Sequence, residues 1–303
     1  MVFSNLVKKL LENGGTIIPI YIKNEDSKGT GLCNASILYT EGKLRMILRN
    51  VEYTLYHSEG EQKYQSCYEG PLSYYHRDDD LKLRTHNFYC EINPDDLSIE
   101  NYTKIDMSAF DKNPVWTFIG LEDARLVFWD NKYYACGVRR DTRTNGQGRM
   151  ELSELKIDNL KDSSKGQLSV KEIARHRIEV PDYTSYCEKN WMPLRDKAFH
   201  FIKWTIPTEL VRINLNNNTS ESLLIKHNKD ETEQLHKLYD IQYELRGGSH
   251  LIPWYDNTYI AIVHECKFIP KNFNGYKDAD YYHRFVVWNA DWSIKYISES
   301  FNF

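Results

Sequence analysis

Short apolar stretches, many alternating with polar positions and each ended by a turn, run along almost the whole of this chain. That is the pattern of half-buried strands, and it predicts an all-β protein. Helical periodicity is confined to a segment at about residues 5–13 and to Lys229–Tyr239. One strand–turn–strand phrase recurs four times. It reads NASILYTEGKLRMILRN from Asn34, DARLVFWDNKYYACGVRR from Asp123, NWMPLRDKAFHFIKWT from Asn190 and SHLIPWYDNTYIAIVHE from Ser249. Two further strand-like runs follow each phrase: LRTHNFYCEI and YTKIDM, RMELSELKI and LSVKEIARH, ELVRINL and SLLIKH, HRFVVWN and SIKYISES. Four strands in each unit of roughly 60 to 90 residues is the arithmetic of a β-propeller with decorated loops. A β-sandwich would not repeat one hairpin phrase four times.

The expected architecture is a single propeller domain over residues 1–303, five-bladed, with four blades visible and the fifth incomplete. TIIPIYIK, residues 16–23, is expected as the outermost strand of that fifth blade. Its remaining strands would follow Phe303 or come from a partner, or the ring has four blades plus a partial closure.

Composition narrows the function classes. The 303 residues carry 39 Lys+Arg against 43 Asp+Glu, a net charge of -4 with the signs interspersed, which argues against a nucleic-acid binder. At 14% aromatic the chain is not disordered. No run approaches the ~18 apolar residues of a membrane span, and the opening residues lack a small-residue cleavage site. Six cysteines (Cys33, Cys67, Cys90, Cys136, Cys187, Cys266) form no CxxC pair. They suit reduced thiols in a cytoplasmic protein, in which the four Asn-x-Ser/Thr triplets are chance.

In a propeller the innermost strands line a central channel, so equivalent positions of successive repeats converge there. Asn34, Asp123, Asn190 and Ser249–His250 precede the first strands of the phrases; Arg49, Arg139–Arg140, Trp204 and His264–Glu265 end the second. Polar groups at such positions suggest a funnel for a hydrophilic ligand. The sharpest feature is Gly120-Leu121-Glu122-Asp123-Ala124-Arg125. Alternation would point Glu122 and Asp123 to opposite sides and leave Asp123 facing the channel. A neighbouring charge or partial burial would then raise its pKa into the general-acid range. The alternative is an Asp–Arg pair pinning a turn. Glu188-Lys189-Asn190-Trp191 offers charges and an amide for sugar hydroxyls and an indole for a ring face; the plainer account is a surface ion pair beside a core Trp. Arg246-Gly247-Gly248-Ser249-His250 could present backbone N–H groups to an anion. Arg139, Arg140 and Arg143 could hold a phosphate or belong to a solvated loop. His250, His264 and His283 have no metal-site spacing, and neither metal nor cofactor is expected.

The phrases NxSI…LRMILRNVEY, GLEDARLVFWDNKYY, EKNWMP, RGGSHLIP…IVHE and YYHRFVVW…YISESF, taken in order, resemble glycoside hydrolase family 130, the β-mannoside phosphorylases, and related transferase-like five-bladed propellers. The resemblance covers roughly residues 31–303, with Ala124 where the family usually has Pro. It implies inverting transfer of a mannosyl-like unit with one protein carboxylate, Asp123, as general acid. The proton would pass through a sugar hydroxyl, with phosphate as nucleophile. It matches Asn34 and Arg49 to sugar-binding positions, and the channel and loop readings above add Glu122, Arg125, Asn190, Trp191, His264 and His283 as candidate substrate contacts. Arg139, Arg140, Lys189, Arg246 and His250 are the candidates for phosphate or a nucleotide donor. The expected partners are a sugar or oligosaccharide and inorganic phosphate, a sugar phosphate or a nucleotide sugar, with homo-oligomers left open. Two alternatives stand beside transfer. A hydrolase would activate water with Glu122, Glu188 or Glu265, and a non-catalytic propeller would bind glycans or proteins.

Overall fold

A computed structural model describes residues 5–23, 31–55, 65–69, 72–76, 82–160, 167–180, 185–270 and 277–302. It is all-β, with four antiparallel propeller blades; a fifth is not seen among the described residues. The chain divides into two compact units, one built on Ile20–Lys189 and the other on Asn190–Ile269 and Ala279–Phe303.

The first unit holds two blades. Blade 1 starts with β1 (Gly31–Thr40) and β2 (Lys43–Val51). A separate sheet then intervenes, of β3 (Tyr53–Leu55), β4 (Gln65–Glu69) and β5 (Leu72–His76), before β6 (Leu83–Ile92) and β7 (Ile99–Lys104) complete the blade in the order β1-β2-β6-β7. The short β8 (Phe118–Ile119) runs parallel to β6. Blade 2 is a meander of β9 (Glu122–Trp129), β10 (Lys132–Arg139), β11 (Arg149–Leu160) and β12 (Gln167–Arg177). The EG and DN turns of these two phrases, Glu41–Gly42 and Asp130–Asn131, have positive φ at both residues. That is the two-residue geometry whose twist matches paired strands.

Apolar residues on the facing sides of blades 1 and 2 form one core, including Ile47, Tyr89, Leu121, Leu126 and Val170. The opposite face of blade 1 buries Met46, Leu48, Phe88 and Cys90 against Ile22. The 16–23 segment forms no strand, contrary to the fifth-blade expectation. Pro19 interrupts its hydrogen-bonding edge, and the segment contributes Ile22 to the face of blade 1 instead.

The second unit contains blade 3, with β13 (Met192–Pro193), β14 (His200–Trp204), β15 (Thr208–Asn214) and β16 (Thr219–Lys226). Blade 4 is β17 (Arg246–Gly247), β18 (Ile252–Trp254), β19 (Thr258–Pro270), β20 (Lys277–Trp288) and β21 (Ile294–Ile297). Its core includes Ile202, Leu251, Val263, Val286 and Trp288. The two expected helices are present as α1 (Asn5–Glu12) and α2 (Lys229–Leu238). The second opens on a capping box in which Asn228 and Glu231 each bond the other's backbone N–H, at 3.0 and 2.8 Å. No helix among the described residues is long and apolar enough to cross a membrane.

Candidate active site

The hexapeptide Gly120–Arg125 owes its shape to two close approaches. Gly120 has φ +101, and a Cβ there would lie 2.2 Å from the Thr85 carbonyl oxygen, so only glycine fits. Its N–H donates to Asp141 Oδ2 at 2.9 Å, while Leu121 drops into the core. In the pairing of β9 with β10, Val138 opposes Glu122 and Cys136 opposes Arg125, so Asp123 and Ala124 together face the single Gly137. This is a β-bulge, with Asp123 in the left-handed region at φ +53. A side chain on Gly137 would meet the Glu122 carbonyl oxygen at 2.5 Å, which keeps that position small. Gly120→Ala should therefore cost about 2 kcal/mol or more of stability; an unfolding midpoint equal to the wild type's would refute the close approach.

The bulge overturns the expected alternation. Glu122 and Asp123 do not part to opposite sides; both reach the guanidinium of Arg49, near the end of β2. Arg49 Nη1 lies 2.5 Å from Asp123 Oδ1 and Nη2 lies 3.3 Å from Glu122 Oε2. Asn34 occupies a second irregularity, at φ +49 where β1 slips register between Cys33 and Ser36. From there its amide donates to Asp123 Oδ1. Arg125 is buried and points a guanidinium N–H toward the Asp123 carbonyl at 3.5 Å. Asn34, Arg49, Glu122, Asp123 and Arg125 are thus brought together as the sequence expects. The Asp123 side chain keeps 19% of its surface open, enough for a ligand to touch it.

The electrostatics differ from the expectation. Burial pushes the Asp123 carboxyl up, but Arg49, Lys189, Asn34 and Arg125 outweigh it and hold the group down at about 2. Instead of rising into the acid range, Asp123 is an ionised carboxylate at neutral pH. Glu122 goes the other way: burial raises it, Arg49 opposes, and the charge on Asp123 raises it further. The pair therefore splits into a stronger and a weaker acid around one guanidinium.

Two cations stand by this pair. Lys189 is near enough to lower both carboxyls but, among the described residues, forms no ion pair or hydrogen bond. Arg140 donates Nε to the Gly146 carbonyl and Nη2 to the Tyr186 hydroxyl, both at 2.9 Å, and its guanidinium rests 4.5 Å from the Phe118 ring centroid. Among the described residues no carboxylate pairs with it, and Glu122 holds its charge in place by raising its pKa against burial. Arg139 is different. It is buried, 2.9 Å from Glu151 and 3.3 Å from both Asp141 and Asp111, so its charge is spent inside blade 2. This corrects its assignment to the anion site. Arg143 pairs with Glu179 at 3.5 Å on the surface.

The remaining candidates lie in the second unit. Asn190 repeats the left-handed start of a blade at φ +63. Trp191 is 1% exposed and packs edge-on against Phe201, a core indole and not a platform for sugar. The Gly248 and Ser249 N–H groups both donate to the Ile262 carbonyl, at 2.9 and 3.0 Å. The expected anion nest at this turn is therefore already occupied by the protein's own backbone. Arg246 pairs with Glu244 at 3.0 Å beside it, with His250 the next residue after the turn. His264 packs against Tyr281, and His283 bonds through its backbone to Phe301, with burial lowering its imidazole pKa. Glu265 is spent on Arg284 at 2.5 Å and on the N–H groups of Gln242 and Tyr243, which removes it as a water-activating base. Glu188 is buried. Among the described residues no three His, Cys, Asp or Glu gather as a metal cluster.

Four contributors escaped the sequence reading: Tyr53, Phe118, Asp141 and Tyr186. Only Tyr53 left a trace, as the last residue of LRMILRNVEY.

No protein-family model matches the chain, and no curated protein is similar to it. Among solved structures it is similar to a provisionally assigned glycoside hydrolase from Bacteroides ovatus ATCC 8483, with 9% identity over 89% of this chain and 72% of that one at a TM-score of 0.48. It is also similar to a mannose phosphorylase from Leishmania mexicana in complex with phosphate ion, with 12% identity, 97% and 76% coverage and a TM-score of 0.45. A GDP-Man-dependent mannosyltransferase from the same organism gives 11%, 93% and 73%, and 0.40. With these three TM-scores below 0.5, the fold rests on the chain's own sheets and the chemistry on its own side chains.

Proposed function

We propose that this chain is a carbohydrate-active enzyme that transfers a glycosyl unit, mannosyl-like by its motifs, with inversion. Asp123 is its single acid–base carboxylate. The observation that carries the reading is the clamp on Asp123: an ionised, partly open carboxylate fixed by Arg49 and Asn34, with Lys189 and Arg140 at hand. A carboxylate held ionised has no proton to give, so the resting site is set as the base of the synthetic direction. In that direction the acceptor hydroxyl loses its proton toward Asp123 as its oxygen bonds the anomeric carbon. The bond from that carbon to the phosphate oxygen breaks, and the electron pair leaves with the phosphate. One displacement inverts the centre. Phosphorolysis is the same path reversed, with Asp123 protonated as the acid.

Arg140 is the cation best suited to the departing phosphate. Its Nε and Nη2 are fixed by protein oxygens, which orients the remaining Nη1 edge. Lys189 adds a second positive charge beside the same carboxylates. Donors of either kind, sugar phosphate or nucleotide sugar, require this anion site; hydrolysis does not, and would place water activation on Glu122.

The test is product analysis by mass spectrometry, with sugar-1-phosphates and nucleotide sugars as donors and mannose or short mannosides as acceptors. An elongated product establishes transfer, and the donor that works separates phosphorylase from transferase. Free sugar released from a mannoside without phosphate would instead establish hydrolysis. Arg140→Ala should weaken a phosphate-bearing ligand by roughly 30-fold or more while changing the affinity for free sugar less than about two-fold. Equal weakening of both would remove Arg140 from the anion site.

A further inference from the structure

The Arg49 guanidinium must hold one orientation to serve both carboxylates, and its own side chain does not supply it. A long arginine side chain keeps substantial rotamer freedom unless its ends are pinned. Among the described residues its buried Nε has no hydrogen-bond partner, so none of them orients the group from that side. Nη1 is committed to Asp123. Nη2 faces three acceptors: Tyr53 Oη at 2.7 Å, Thr85 Oγ1 at 3.2 Å and Glu122 Oε2 at 3.3 Å. The phenol oxygen is the shortest of the three and the one best placed for a full-strength bond.

Tyr53 is itself held. Its ring meets Phe118 edge-on, with centroids 6.1 Å apart and planes at 90°, and Phe118 is a core residue that also meets the Arg140 guanidinium. Burial keeps the phenol protonated, pushing its pKa above the ordinary range. It is also the first residue of β3, where the inserted sheet leaves blade 1. An aromatic pair thus stands between the carboxylate clamp and the anion-site cation.

We infer that Tyr53 is a positioning residue: its hydroxyl locks the Arg49 guanidinium in the orientation that serves Asp123 and Glu122, and roots the inserted sheet on that lock. The catalytic part of this inference rests on the glycosyl-transfer reading; the lock does not.

Tyr53→Phe removes one oxygen and leaves the ring against Phe118. The first measurement is arginine side-chain NMR on the full chain at neutral pH, with the Arg49 signals assigned from Arg49→Lys. Wild type should show separate, slowly exchanging Nη resonances, and Tyr53→Phe should speed guanidinium rotation about ten-fold or more. Unchanged rotation overturns the inference, whatever the enzyme's reaction. The second measurement is kinetic. With the donor that works, Tyr53→Phe should lower kcat about ten-fold with KM changed less, because the acid–base clamp loses its lock while every candidate sugar contact keeps its own side chain. Freed rotation with unchanged kcat would overturn the positioning role. Freed rotation in a protein that turns over no donor would uphold the lock and place the failure on glycosyl transfer.

Discussion

Asp123→Asn is expected to abolish turnover, by about 10³-fold or more, while ligand affinity stays within a few-fold of wild type. The amide has the shape of the carboxylate and keeps an oxygen for the Arg49 and Asn34 donors that now meet Asp123 Oδ1. What it lacks is the ability to take or return a proton. Because the carboxyl is held at about 2, it is ionised across the neutral range, and no part of the wild-type rate there reflects its titration. Affinity measured by calorimetry and turnover measured by product formation separate the two roles. Retention of most activity would remove Asp123 as the acid–base group. Unchanged binding in a chain whose wild type has no turnover at all would instead favour a propeller that only binds glycans.

Strand positions were the most legible part of the chain, because each depends on short-range alternation and on turn residues next to it. LRTHNFYCEI is β6 to the residue, and the EG and DN turns fall where the repeat puts them. TIIPIYIK failed because apolar content alone does not make a strand: with Pro19 inside, the segment folds as irregular chain. The site was half legible. Repeat equivalence put Asn34 and Asp123 at matching blade starts, and they do touch. The direction in which Glu122 and Asp123 point was not legible, since it depends on a bulge set by Gly137 on the neighbouring strand. Nor could the fate of individual charges be read. Arg139 and Arg140 are adjacent in sequence, yet one is consumed by Glu151 and the other is stacked on Phe118. Whether a cation serves a ligand or the core is decided by partners up to tens of residues away. The same holds for the pKa of Asp123, where Arg125 from its own strand and three groups from elsewhere in the chain reverse the effect of burial.

Arg49→Met should produce the largest change in stability, and its pH dependence identifies the cause. Methionine fills much of the same volume but leaves Glu122 and Asp123 beside each other with the guanidinium gone. Removing one member of a buried pair costs about 3 kcal/mol, most of it the penalty of the charges left behind. In the wild type, Asp123 has a folded pKa of about 2 against an ordinary 3.8. Its contribution is therefore present above pH 4 and lost as pH falls toward 2. Without Arg49 the largest opposing influence disappears: Glu122, already raised by burial, moves higher, and Asp123 moves up from about 2. A carboxyl with a raised folded pKa destabilises at neutral pH and recovers as it protonates, so the sign reverses. Arg49→Met should be less stable than wild type by urea unfolding at pH 7, with much of the difference regained near pH 4.5. Adding Asp123→Asn to Arg49→Met removes one stranded charge and should restore part of the loss at pH 7, although Asp123→Asn alone costs stability there. A deficit that is the same at both pH values, and untouched by the second substitution, would mean that Arg49 acts through packing. The electrostatic clamp on Asp123 would then have to be abandoned.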